Sequence, residues 1–182
     1  GESPEEIGVV AWGPPTVRTR GETIAQILAL LGVEPNWTEA GQVDGVEPIP
    51  LPELGRPRID VTTRISGLFR DAFPSVAGLV QEAVETVATL EEPPERNFVR
   101  KHYLQEAVGA ETESDDEPTL YRVFTTQPGG YGSGTNKAIT TGEWEDETDL
   151  ADVFVNWGSY AMDGEGSVEP AKEAFETRLE QI

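Results

Sequence analysis

The chain has 182 residues, thirteen Lys+Arg against thirty-four Asp+Glu, and a formal net charge of −21. A chain this negative repels nucleic acid and anionic membrane surfaces, so neither is expected as a partner. With no cysteine and one histidine, disulfides, thiol catalysis, thiolate metal sites and multi-histidine metal centres are excluded.

No run of about 18 apolar residues is present, so no membrane span is expected. The opening Gly1–Gly8 stretch has neither the basic region nor the apolar region of a signal peptide, which points to a cytoplasmic location. Hydrophobic residues make up 37% of the chain and recur in regular patterns between the acids, so the chain is expected to fold. Interspersed carboxylates with only three lysines match proteins adapted to a salt-rich cytoplasm, where salt screens self-repulsion.

In chain order, Ile7–Ala11 reads as a buried strand ended by a Trp12-Gly13-Pro14-Pro15 loop. Ile24, Ile27, Leu28 and Leu31 fall at helical spacing, with Gly32 at the helix C-terminus. Residues 33–52 carry Pro35, Pro48, Pro50 and Pro52 and can hold only edge strands or extended coil. Ile59–Ile65 is a β-rich run. Phe69, Phe73, Val76, Val80, Val84 and Val87 then trace one helical face, which Pro74 splits into two helices. Residues 95–108 read as helix and 108–118 as a mobile acidic loop. Tyr121–Thr126 reads as a third strand, running into the glycine-dense stretch 127–134. A short helix, a helical stripe of Leu150, Val153, Phe154, Trp157 and Tyr160, and a charged helix from Val168 to Ile182 complete the chain. Strands alternating with helices predict an α/β fold, a mostly parallel sheet with helices on both faces in three layers. No repeat or linker divides the chain, so residues 1–182 are expected to form a single domain.

The glycine loop follows a strand and precedes a helix, the setting for phosphate binding. It carries neither G-x-x-x-x-G-K-[ST] nor G-x-G-x-x-G, so a ligand-shaping or structural loop is the better reading. No Ser/His/Asp set can be built on His102 alone. Carboxylates are too numerous to single out an acid/base pair, and Phe154, Trp157 and Tyr160 read as core.

Longer phrases are more specific. Glu53-Leu54-Gly55-Arg56-Pro57-Arg58-Ile59-Asp60-Val61 precedes Ser66-Gly67-Leu68-Phe69-Arg70-Asp71-Ala72-Phe73-Pro74, and Asn97-Phe98-Val99-Arg100-Lys101-His102 follows. Upstream stand Trp12, Gly21-Glu22 and Leu28 to Gly32; downstream stand Trp144-Glu145-Asp146 and Leu150. In this order the phrases resemble the large subunit of the cobalt and magnesium chelatases that metallate tetrapyrroles. Gln127-Pro128-Gly129-Gly130-Tyr131-Gly132 and Asn156-Trp157-Gly158-Ser159-Tyr160-Ala161 are similar to the cobalt-inserting branch, and Ile65 before Ser66 points the same way. Family large subunits are far longer, so the chain resembles one internal portion of their C-terminal half, inactive by itself. The resemblance implies Co2+ as substrate (Mg2+ in the alternative branch), a corrin or porphyrin macrocycle, and AAA+ partner subunits that bind and hydrolyse ATP. It equally admits a non-catalytic scaffold contacting those motors.

Two regions combine these phrases with suitable chemistry. Arg64, Ser66, Arg70 and Asp71 fall at the junction after the second strand, where α/β sheets place ligands, and arginine can grip macrocycle carboxylates. Gly130, Tyr131 and Gly132 could lay a ring against a flat macrocycle while the backbone approaches closely. His102 is the candidate metal ligand, since imidazole suits cobalt.

Overall fold

The computed structural model describes residues 3–110 and 120–182. The sheet has the order β1-β4-β5-β6-β7, and β2 and β3 form a separate hairpin. Strand β1 (Glu6–Ala11) lies parallel to β4 (Asp60–Ile65), and β4 parallel to β5 (Val123–Thr125). The two remaining strands, β6 (Tyr160–Met162) and β7 (Val168–Pro170), add on antiparallel. The sheet is therefore parallel through its first three strands and mixed beyond them. Strand β7 takes the start of the expected last helix, and α9 runs only from Lys172 to Gln181.

Pleating sends alternate residues to opposite faces, and both faces are covered. On one, Val61, Ile65 and Val123 pack with α2 (Glu22–Leu31) and α5 (Pro74–Thr89) through Ile27, Leu31, Val80 and Val84. On the other, Phe124 and Ala161 pack against Phe175 of α9 and Phe154 of α8 (Glu147–Gly158). The Phe124 and Phe175 rings are 4.8 Å apart.

The expected loop at Trp12–Pro15 is instead the start of α1 (Gly13–Thr19). Its prolines sit in the first turn, where a missing N–H leaves no hydrogen bond unmade. The proline-rich stretch forms the antiparallel hairpin of β2 (Val33–Trp37) and β3 (Val43–Pro48). Being two-stranded, it has only edge strands, which tolerate proline. Short α3 (Leu51–Leu54) leads on toward β4. Pro74 does divide two helices, α4 (Gly67–Ala72) and α5. Helix α6 (Phe98–Ala110) and short α7 (Thr135–Thr141) complete the set. Of the acidic loop expected over 108–118, residues 108–110 instead belong to α6, and the rest lies outside the described residues. No helix among the described residues is long and apolar enough to cross a membrane.

Candidate functional site

The carboxyl ends of β4 and β5 meet the start of α4 and the glycine loop. Ser66 caps α4, its hydroxyl accepting from the Phe69 N–H at 3.1 Å. The cap turns the chain so that Arg70, one helical turn on, reaches under the strand next door. Arg70 Nη1 donates to the Thr126 carbonyl at 2.7 Å and the Gln127 carbonyl at 2.9 Å. Its Nε donates to Asp71 at 2.7 Å, and Asp71 in turn accepts from the Tyr131 hydroxyl at 2.7 Å. Arg70 thus holds the loop at its root and, through Asp71, at its tip. The hydrogen bond from Arg70, then that from Tyr131, keeps the Asp71 carboxyl below its ordinary range, while Asp71 raises the Tyr131 phenol.

Close packing completes the loop. Thr126 Oγ1 donates to the Gly130 carbonyl at 2.6 Å, and that carbonyl lies directly over Gly67, where any Cβ would collide with it. Trp157 Nε1 donates to the Tyr131 carbonyl at 3.3 Å. Beside the loop opens a cavity of about 350 Å³ lined by Trp12, Arg64, Ser66, Gly132, Ser133 and Phe154 among others.

Arg64 differs from Arg70. Its Nη1 donates to the backbone carbonyls of Ile65 and Phe124, its Nε is buried without an acceptor, and among the described residues no carboxylate pairs with it. Burial, and then the neighbouring charge of Arg70, push its guanidinium down to about 10. A buried cation without a counter-ion is costly.

Arg64, Ser66, Arg70, Asp71, Gly130, Tyr131 and Gly132 are therefore brought together at one edge of the sheet. His102 is not among them. It sits on α6 at the other end of β4, its Nδ1 2.9 Å from Asp60 Oδ2. Asp60 and Arg64 are four residues apart on one strand, about 13 Å.

At that far end Glu6, Asp60 and His102 stand close enough together to hold a cation. A guanidinium already does so. Arg178 Nη1 lies 3.5 Å from Glu6 Oε2 and 3.7 Å from Asp60 Oδ2, and Arg122 Nε is 3.0 Å from both Asp60 oxygens. Glu106 closes the network, 2.9 Å from Arg122 Nη2 and 2.8 Å from Arg178 Nη2, the latter too misaligned to be a hydrogen bond. Burial alone would raise Asp60, but Arg122 and His102 outweigh it and hold the carboxyl low. Burial and Asp60 push Glu6 up. Two arginines at the ligand atoms make this an internal ion network, and His102 belongs to it.

Reading the sequence missed Trp12 and Phe154 as cavity walls. It missed the network too, although Glu6, Asp60 and Arg122, charged residues at or beside strand starts, were a visible signal. Much of the longest phrase is structural: Arg58 is fully buried, paired with Glu92 at 2.8 Å and bonded to the Ile49 carbonyl at 2.7 Å.

The CobN/Magnesium Chelatase family model matches residues 1–182. The aerobic cobaltochelatase subunit CobN of Pseudomonas aeruginosa is 41% identical over 100% of this chain and 15% of its own length. The chloroplastic magnesium-chelatase subunit ChlH of Oryza sativa subsp. indica is 42% identical over 90% of this chain and 12% of its own. The catalytic subunit of cobaltochelatase from Mycobacterium tuberculosis superposes with a TM-score of 0.91 at 40% identity, covering 100% of this chain and 15% of that one. The chain thus spans about 15% of the length of such relatives. With its whole length matched in sequence and in fold, the chain belongs to the CobN/magnesium chelatase family.

Proposed function

We propose that the chain is one part of the tetrapyrrole-holding subunit of an ATP-dependent cobaltochelatase, with Co2+ as substrate and ATP handled by separate AAA+ subunits. One observation carries this: three phrases far apart in sequence, 66–74, 127–132 and 156–161, meet at one end of the sheet beside the cavity that Ser66 and Gly132 help to line. Trp157 of the third bonds to Tyr131 of the second, and Tyr131 bonds to Asp71 of the first. The second and third phrases are those that favour the cobalt branch, while the relatives stand on both sides. Inserting a metal requires holding the macrocycle, stripping the cation of water and removing two pyrrole protons. The sheet edge contributes to the first of these tasks, with exposed Trp12 and Tyr131 rings beside the cavity.

The test is metal insertion by the large subunit containing this chain, supplied with ATP, its motor subunits and either Co2+ or Mg2+. Preferred Co2+ insertion is expected; preferred Mg2+ insertion would overturn the cobalt reading.

A second reading, a scaffold docking other parts of the machine, is favoured by a separate apolar groove. That groove of about 710 Å³ runs between α2, the hairpin and α5, with Trp37 on its rim 64% exposed. If insertion is lost on mutating the groove but not the sheet edge, the scaffold reading replaces the first.

A further inference from the structure

The two arginines at the sheet edge have opposite fates. Arg70 is tied to Asp71 and to the loop carbonyls, with its Nη2 buried and without a partner, so it positions the loop and is not among the residues lining the cavity. Arg64 has no acidic partner among the described residues, and it is one of the residues that line the cavity. Gly158 leaves the room it occupies: a Cβ there would stand 2.9 Å from Arg64 Nε and 3.3 Å from Nη2. The buried Arg58, Arg70, Arg122 and Arg178 each pair with a carboxylate; Arg64 does not. The rest of the lining is mostly apolar, with Val10, Trp12, Ile65 and Phe154 beside Ser66, Gly132 and Ser133. At about 350 Å³ the cavity is at the lower end of small-molecule pockets, which run from about 300 to 1,000 Å³. That is room for a side arm and one ring edge, not for a four-ring macrocycle.

We propose that this cavity takes a single carboxylate-bearing arm of the macrocycle, with the Arg64 guanidinium as its counter-ion, while the ring stays outside against Trp12 and Tyr131. The proposal rests on the tetrapyrrole reading above and adds the residue that reads the arm. A planar guanidinium binds a carboxylate through paired N–H donors, and an apolar wall strengthens that contact by excluding water. The site therefore selects an acid arm over a neutral one and fixes which edge of the macrocycle faces the sheet.

The experiment titrates the large subunit containing this chain with coproporphyrin III and with the tetraamide made from it, following the porphyrin absorption band. In 1 M KCl, where the screening length is about 3 Å, general repulsion between the acidic chain and an anionic ligand is suppressed and a contact pair survives. The acid is expected to bind about ten-fold or more tighter than the amide, as one charge-assisted contact provides. Arg64→Gln should bring the two affinities together by weakening the acid alone. Gly158→Ala, which displaces the guanidinium without removing it, should shrink the ratio in the same way and covers the case in which Arg64→Gln fails to fold. An undiminished preference for the acid in both variants would overturn the role of Arg64 and leave the tetrapyrrole reading standing. Binding of neither porphyrin would overturn both.

Discussion

Asp60 is the keystone of the buried ion network, and Asp60→Asn is its sharpest test. The side chain is fully buried. Its carboxylate accepts from Arg122 at 3.0 Å on both oxygens and lies 2.9 Å from His102 and 3.7 Å from Arg178. Asparagine keeps the shape and one acceptor but takes the central charge from two buried guanidinium groups, leaving them only Glu6 and Glu106. Removing one member of a buried pair costs about 3–5 kcal/mol, and the retained acceptor sets the expectation near the lower end, about 3 kcal/mol. At this chain length that is a fall in Tm of roughly 6–12 °C. The assay is urea unfolding in molar KCl, comparing midpoints at equal slope. The pH dependence separates charge from packing. Asp60 is held below its ordinary range in the folded chain, so its stabilisation is present above the unfolded value of about 3.9 and is lost as pH falls through the lower folded one. The deficit of the variant should thus be full at neutral pH and shrink as the wild-type carboxyl protonates in acid. Glu6 has the opposite sign: its raised value gives stability below about 4.3 that is lost as pH rises. Glu6→Gln should therefore be far milder at neutral pH. A loss of under about 1 kcal/mol for Asp60→Asn, smaller than any buried-pair estimate, or a deficit unchanged into acid, would refute the reasoning.

Gly67→Ala should displace the loop, because its Cβ would meet the Gly130 carbonyl, with Thr126 Oγ1 3.0 Å and Tyr131 Cδ1 3.2 Å away; a lowered midpoint with altered tyrosine and tryptophan fluorescence is the expected result. Asp71→Asn should lower the pH at which Tyr131 ionises, since the carboxylate that accepts its proton is what raises it; ultraviolet titration reads this, and an unchanged titration would break the Arg70–Asp71–Tyr131 chain. Stability should climb between low and molar KCl as salt screens a net charge of −21, and a flat melting temperature would contradict it.

The strands at the heart of the sheet were legible because a buried β run looks the same in any context: Ile7–Ala11 and Ile59–Ile65 each lie within a residue of β1 and β4. Three-residue β6 and β7 were not. Too short to show alternation, they exist because β5 leaves an open edge for β6, and β6 in turn leaves one for β7. The convergence of Arg64, Arg70 and Tyr131 followed from their places at strand ends, which α/β sheets gather along one edge. Their division of labour did not, since nothing local in the sequence says that Thr126 and Gln127 carbonyls will claim Arg70 while Arg64 gets no acid. The surroundings of His102 were hidden for a related reason. Its neighbours Arg100 and Lys101 gave it a basic setting, yet its real partner, Asp60, is 42 residues away.

Hydrogen–deuterium exchange on the chain with and without coproporphyrin III tests most directly which edge of the sheet meets the macrocycle. The account predicts protection confined to residues 64–72 and 127–134, with the α6 segment around His102 unchanged. Protection at 98–103 without any at the loop, or none anywhere on a saturated chain, would contradict it.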